Sequence, residues 1–298
     1  MNSDRSRPAT CLFALMCASV LFAQHRTPSC ANCAEWNQAQ PPFRIFGNTY
    51  YVGTHGLSSV LIASSGGHVL IDGDLPESAP QIAGNIKSLG FRVEDVKLIV
   101  NSHVHFDHAG GIAELQQQSG ARVAASPWSA EVLRTGGVGR GDPQRGTITG
   151  IAAVQKVTTL HDGERLRVGD TTITAHFTAG HTPGGTSWTW TSCEASICRD
   201  MVYADSLNPI SAPGFKFTGN REYPQALADF EKSFKFFETT ACDILITAHP
   251  EFSGVLDRMP RRGSDAKPDP VVDTGACRRY AESGRGKLRE RLAGEAEK

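Results

Sequence analysis

The chain of 298 residues contains no apolar run of about 20 residues, the length that carries a helix across a bilayer. Its nearest approach is Ala9 to Ala23 (ATCLFALMCASVLFA), with Arg5 and Arg7 before it and the polar Gln24 after it. A basic start, a short apolar centre and a small residue at the exit describe a secretory signal peptide over residues 1–23. An excess of charge of one sign is also missing. Lys and Arg number 30 against 31 Asp and Glu, so nothing in the composition calls for nucleic acid or an anionic surface as partner. The motif CANC (residues 30–33) has no second CxxC, which excludes a four-cysteine structural zinc site. No internal sequence repeat is visible.

What is present is an ordinary globular composition, 40% hydrophobic and 20% charged, on a chain long enough for one large α/β domain or two small ones. Of the eight cysteines, Cys11 and Cys17 fall in the signal stretch. The even remainder in an exported chain implies disulfides. Cys193 and Cys198 enclose a tight loop between strands, and Cys242 and Cys277 would tie a strand start to the last helix. Cys30 and Cys33 can close on each other, bind a metal or bridge chains.

Short β-branched runs separated by Gly and Ser turns (TYYVGT, SSVLIAS, HVLIDG) read as strands. Apolar residues at helical spacing predict a helix from Pro76 to Leu89. VKLIV (96–100) is continuous, as in a strand covered on both faces. Gly110 to Ser119 and Pro127 to Arg134 are helix candidates, and the Gly-rich segment 134–146 reads as a mobile surface loop beside a site. The second half alternates AAVQKVTTL, ERLRVG, TTITAHFTAG, GTSWTWTS and RDMVYAD as strands. A helix faced by Leu227, Phe230, Phe234 and Phe237 follows, then the strand DILITA (243–248) and a basic helix from Ala276 to Leu292. Strands then helices, twice over, predict an α/β sandwich.

The chemistry concentrates at HVHFDHAGG (103–111), directly after VKLIV. The carboxyl end of a buried strand is where α/β folds bind ligands. An extended backbone would aim His103, His105 and Asp107 to one side, and the glycines would let the chain turn so that His108 joins them. Imidazole and carboxylate are zinc ligands. His181 (TAGHTPGG) and His249 (LITAHPEF) also stand at strand ends, before turns. His25, His55, His68, His161 and His176 have no such setting.

HVHFDH, GHTPGGTSWTW, YADSL and AHP, in this order and separation, resemble the metallo-β-lactamase superfamily over about Phe43 to Leu292. GNTYYVGT, SCEASICRDMVYADSL, SAPG and the C-terminal cysteine pair resemble most closely the third subclass of class B β-lactamases. The resemblance implies a four-layer αβ/βα sandwich over residues 24–298 and two zinc ions. His103, His105 and His181 would hold the first zinc, and Asp107, His108 and His249 the second. Asp107 is also the expected catalytic residue, beside a metal-bridged hydroxide that attacks the lactam carbonyl. Ser206 and Asn208 would bind the carboxylate of a small-molecule β-lactam. Serine at 206, where the first subclass has a cysteine ligand, speaks for the third. Asp72 is expected to orient a ligand histidine or its loop.

The resemblance further implies a periplasmic, monomeric enzyme of antibiotic resistance, acting on penicillins, cephalosporins and carbapenems. It would bind no nucleic acid and have no stable membrane association after signal cleavage. Asn208 departs from the more usual Ser or Thr, and other differences stand beside it. Phe215 replaces a tyrosine that supports the oxyanion in some members. His55 replaces a cysteine that pairs with an N-terminal one, which leaves Cys30 and Cys33 without that partner. Asp205 matches a bridging aspartate of lactonase, thioesterase and glyoxalase relatives, and so supports a second reading as another metallo-hydrolase. A zinc-binding module without activity is the third reading.

Overall fold

The structure is a computed structural model that describes Met1 and residues 30–263 and 268–297. The expected signal peptide lies, beyond Met1, outside the described residues. The described strands form two sheets. The first, of seven strands, runs in sequence order: β1 (Phe43–Phe46), β2 (Thr49–Tyr51), β3 (Val60–Ile62), β4 (His68–Ile71), β5 (Val96–Val100), β6 (Arg122–Ala125) and β7 (Val157–Thr159). Its pairs are antiparallel up to β4 and parallel from there on. The second sheet has the order β12-β11-β10-β9-β8, with β8 (Arg165–Val168), β9 (Thr171–Phe177), β10 (Thr186–Glu194), β11 (Ile197–Ala204) and β12 (Ile244–Thr247). Only β11 and β12 pair in parallel there.

Alternation along each strand decides which layer a residue enters. In β5, Leu98 and Val100 point between the sheets while Ile99 points outward, and Val96 joins the outer cluster before a shift in the register with β4. In β12, Ile244 and Ile246 point inward and Leu245 outward. Trp188, Trp190 and Tyr203 fill the space between the sheets. Outside the first sheet lie the helices Ala79–Ser88, Ile112–Ser119 and Pro127–Thr135. The helices Ala226–Thr239 and Ala276–Ala296 cover the second. Phe230, Phe234 and Phe237, three or four positions apart, are fully buried, each worth roughly 1.5–3 kcal/mol on transfer from water. The result is the expected αβ/βα sandwich.

Three local expectations need correction. AAVQKVTTL yields a strand only at Val157–Thr159, because Lys156 takes a left-handed φ of 53° that breaks the extended run. The last helix continues to Ala296, where the buried Glu295 accepts hydrogen bonds from the Phe217 and Thr218 amides at 2.8 and 3.1 Å. The third correction, in segment 134–146, concerns the site itself. Disulfides join Cys193 to Cys198, facing residues of the β10–β11 hairpin, and Cys242 to Cys277. The CANC pair closes on itself, Cys30 with Cys33, while His55 is exposed. Among the described residues no helix is long and apolar enough to cross a membrane.

Candidate metal centre

The histidine-rich segment leaves the sheet at the end of β5 and is held on both sides. The Trp188 indole donates to the Asn101 carbonyl at 3.0 Å. The Asp72 carboxylate accepts from both the amide and the hydroxyl of Ser102, each at 2.6 Å. Asp72 takes a left-handed φ of 61°, a conformation a non-glycine residue holds only when its surroundings fix it. Asp72 therefore anchors the loop, and its Oδ2 also stands 4.0 Å from Nδ1 of His108.

His105 caps a single helical turn, Phe106–Ala109, so Asp107 and His108 are presented by a turn of helix rather than by an extended strand. The glycines serve a different purpose from the one expected. Gly110 and Gly111 have ordinary negative φ of -59° and -85°. What they supply is closeness: a Cβ on Gly111 would sit 2.3 Å from the Gly73 carbonyl, and one on Gly110 2.4 Å from Pro76 Cδ. The helix Ile112–Ser119 can start there only if the side chains are absent.

β9, β11 and β12 end at the same edge and deliver His181, Asp205 to Asn208, and His249. His103, His105 and His181 place ligand-capable atoms within 4.8 Å of one another, as do His103, Asp107 and His108. The His103 ring centroid is 4.4 Å from that of His108, and the His249 ring 4.8 Å from that of His108. Oδ2 of Asp107 lies 3.4 Å from Nε2 of His108 and 3.5 Å from Nε2 of His249. All six expected ligands converge on one site.

Four of the five rings are fixed through one nitrogen. Nδ1 of His103 meets Asp205 at 2.7 Å, and Nε2 of His105 meets Asp142 at 3.0 Å. Nδ1 of His181 donates to the Asn208 carbonyl at 2.6 Å, and Nδ1 of His249 to the Gly56 carbonyl at 3.2 Å. Such outer contacts set the tautomer and aim the other nitrogen inward. Burial, reinforced by the neighbouring rings, pulls the pKa of His103 down, and burial with His105 pulls that of His181 down to about 3. Asp107 stays well below the usual carboxylate range despite its burial, because His108 and His249 face it. Burial also pulls His108 down, whereas Asp142 raises His105 and Asp107 raises His249 against their burial. Imidazole nitrogens around an ionised carboxylate are the donor types a divalent metal takes up. Above them opens a cavity of about 610 Å³.

The family model of the metallo-beta-lactamase superfamily matches residues 52–249. The chain belongs to this superfamily. Its structure is similar to the Rm3 metallo-beta-lactamase, with TM-score 0.87 and 54% identity, over 90% of this chain and 99% of that one. It is also similar to MEM-A1, a subclass B3 metallo-beta-lactamase isolated from a soil metagenome library, with TM-score 0.85 and 50% identity, over 88% of this chain and 98% of that one. These likenesses place it with subclass B3. Among curated proteins, a hydroxyacylglutathione hydrolase of Rhodopseudomonas palustris is 30% identical over 131 residues, 44% of this chain and 42% of that protein. The chain thus spans about two-fifths of the length of the first curated relatives it matches.

In this member of the superfamily the sequence reading missed two residues at the site. Asp142 lies in the segment read as a mobile loop, yet it is buried against His105. An aspartate between Gly141 and Pro143 signals only a turn, so no local pattern marks it as a histidine partner. Trp36, on a short helix closed by the Cys30–Cys33 disulfide, packs its ring 5.0 Å from that of His249. Phe215 stacks edge-on against Phe217 and does not border the cavity. Asn208, expected for its side chain, also contributes its carbonyl to His181.

Proposed function

We propose that this chain is a zinc-dependent β-lactamase that hydrolyses the amide bond of penicillins, cephalosporins and carbapenems. The observation that carries the reading is the convergence of five imidazoles and the Asp107 carboxylate below a cavity walled by Ser206 and Asn208. The donor set fits two zinc ions. Nε2 of His103 and of His181 carries no hydrogen bond among the described residues, and the ligand types are the nitrogen and oxygen that zinc prefers. His103, His105 and His181 would hold one ion, and Asp107, His108 and His249 the other. When bound, zinc brings the pKa of water toward neutrality and polarises a carbonyl oxygen.

The rest is done by the chain. Asp205, Asp142 and the carbonyls of Asn208 and Gly56 hold four rings in place, so the donors need no reorganisation. Asp107, ionised between His108 and His249, is the proposed catalytic carboxylate that takes up and returns the proton of the attacking water. Ser206 Oγ accepts from the Asn208 amide at 3.2 Å, which leaves the hydroxyl proton free for a substrate carboxylate. Asn208 lines the same wall. No serine nucleophile is needed.

The reading as a lactonase or thioesterase rested on Asp205. That carboxylate spends Oδ1 on the His103 ring and turns Oδ2 toward Gly185, which supports a positioning role. The apolar stretch Ala9 to Ala23 and the three disulfides support export to the periplasm. Purified protein supplied with zinc is expected to hydrolyse a carbapenem and a cephalosporin, and to lose both activities in a chelator. Intact substrates beside hydrolysed lactones or thioesters would overturn the β-lactamase reading in favour of the other hydrolases.

A further inference from the structure

A second cavity, of about 400 Å³, adjoins the metal centre. The two share Ser206, Asn208 and Phe252 as walls, so the proposed carboxylate-binding residues form the partition between them. The far side of the partition is basic. Arg258, Arg261, Arg279 and Lys287 line it against only two carboxylates, Asp257 and Asp273. Asp273 is engaged twice, by Arg279 and by Arg258 at 3.6 Å. Arg261 is turned to the Asp257 carbonyl at 3.2 Å.

Lys287 is the distinctive member. It rises from the helix Ala276–Ala296 and is half-buried, and among the described residues it has no carboxylate partner. Its ammonium instead stands 4.4 Å from the ring centroid of Phe252, whose ring is in turn 6.2 Å from that of His249. Phe252 is 37% exposed, unusual for so large an apolar side chain. The aromatic face holds the cation at the junction of the two cavities, where an anion could still reach it.

We propose that Lys287 and the basic cavity form a subsite for a second anionic group on the substrate. This rests on the β-lactamase reading and extends it. With the lactam carbonyl over the metal ligands and the ring carboxylate at Ser206 and Asn208, a substituent on the adjacent ring carbon passes the partition at Phe252. In a cephalosporin this is the C3 substituent. The preferred class is therefore cephalosporins whose C3 substituent ends in a carboxylate or sulfonate, over those ending in a quaternary ammonium. Asn208 and Ser206 recognise the common carboxylate, and Lys287 discriminates by what lies beyond it.

The test compares KM for two cephalosporins that differ only in an anionic or a cationic C3 terminus. For the wild-type zinc enzyme the anionic one is expected to have the lower KM. In Lys287→Gln the ratio of the anionic KM to the cationic KM should rise about five-fold, and further in Lys287→Glu. Raising the salt should shrink the wild-type preference. Arg289→Gln makes the same charge change on an exposed position of the same helix and should leave the ratio where it was. An unchanged ratio in the Lys287 variants, or an equal change in Arg289→Gln, overturns the subsite while the β-lactamase reading stands. Wild-type enzyme that hydrolyses neither cephalosporin overturns both.

Discussion

Asp142 follows His105 by 37 positions, yet its two carboxylate oxygens stand 3.0 and 3.2 Å from His105 Nε2. The pair is buried, and each partner shifts the other. Burial pushes Asp142 up, but His105 outweighs it and holds the carboxylate ionised; burial pulls His105 down, but Asp142 outweighs it and keeps the ring a donor through Nε2. That leaves Nδ1, which the Gln144 side-chain amide approaches at 3.4 Å, as the ring's acceptor and the nitrogen proposed for zinc. Asp142→Asn keeps the shape and removes the charge. It is expected to weaken zinc binding about 10-fold or more, measured by competition against a chromophoric chelator. Unchanged affinity would show that the carboxylate does not hold the ring.

Removing a proposed ligand tests a different link. Asp107→Ala leaves His108 and His249 without the carboxylate they share at 3.4 and 3.5 Å. Metal analysis of the variant should find about one zinc fewer per chain than in the wild type, and carbapenem hydrolysis should fall by about 100-fold or more. Wild-type zinc content with wild-type rate would remove Asp107 from both the ligand set and the reaction.

The strand-end histidines were legible in the sequence because strand periodicity and a following Pro or Gly mark where each strand stops. VKLIV, TTITAHF and DILITA each end within four positions of a ligand histidine, and the topology then gathers those ends at one edge. Of the groups that hold the histidines, Asp72 and Asp205 stood out in the sequence, Asp205 for another role, and the others did not. Two of them are backbone carbonyls, Gly56 and Asn208, which carry no signature in residue type. Asp142 reaches its ring from an aperiodic loop, where the sequence signals a turn but not its destination. The glycines of HVHFDHAGG were visible, but their reason was not: contact with Gly73 and Pro76 exists only after the first sheet has formed.

The Cys242–Cys277 disulfide closes a separation of 35 residues, against 5 for Cys193–Cys198. Chain entropy makes the longer closure worth about 4 kcal/mol and the shorter about 2 kcal/mol. Cys277→Ala paired with Cys242→Ala should lower Tm by about 10 °C, roughly twice the effect of removing both Cys193 and Cys198. Thermal unfolding followed by circular dichroism checks this ranking. The short bridge joins residues already held opposite each other in a hairpin, which adds to the reason for its smaller effect.

Glu295 gives a pH dependence whose sign can be worked out. Burial raises its pKa, but the amides of Phe217 and Thr218, the Thr218 hydroxyl and Arg291 outweigh burial and leave it below its ordinary value. A carboxyl whose folded pKa is depressed contributes stability that is present above its unfolded pKa, near 4.5. That contribution is lost as pH falls through the folded value. Glu295→Gln keeps the size but not the charge, so at pH 7 it should unfold at lower temperature, by about 1–2 kcal/mol of lost charge-assisted hydrogen bonding. As pH drops below about 4.5 the two proteins should converge, because the wild type loses the same charge by protonation. A Tm difference that stays constant from pH 7 to pH 3 would mean that the charge on Glu295 does not tie the last helix to the segment at Phe217.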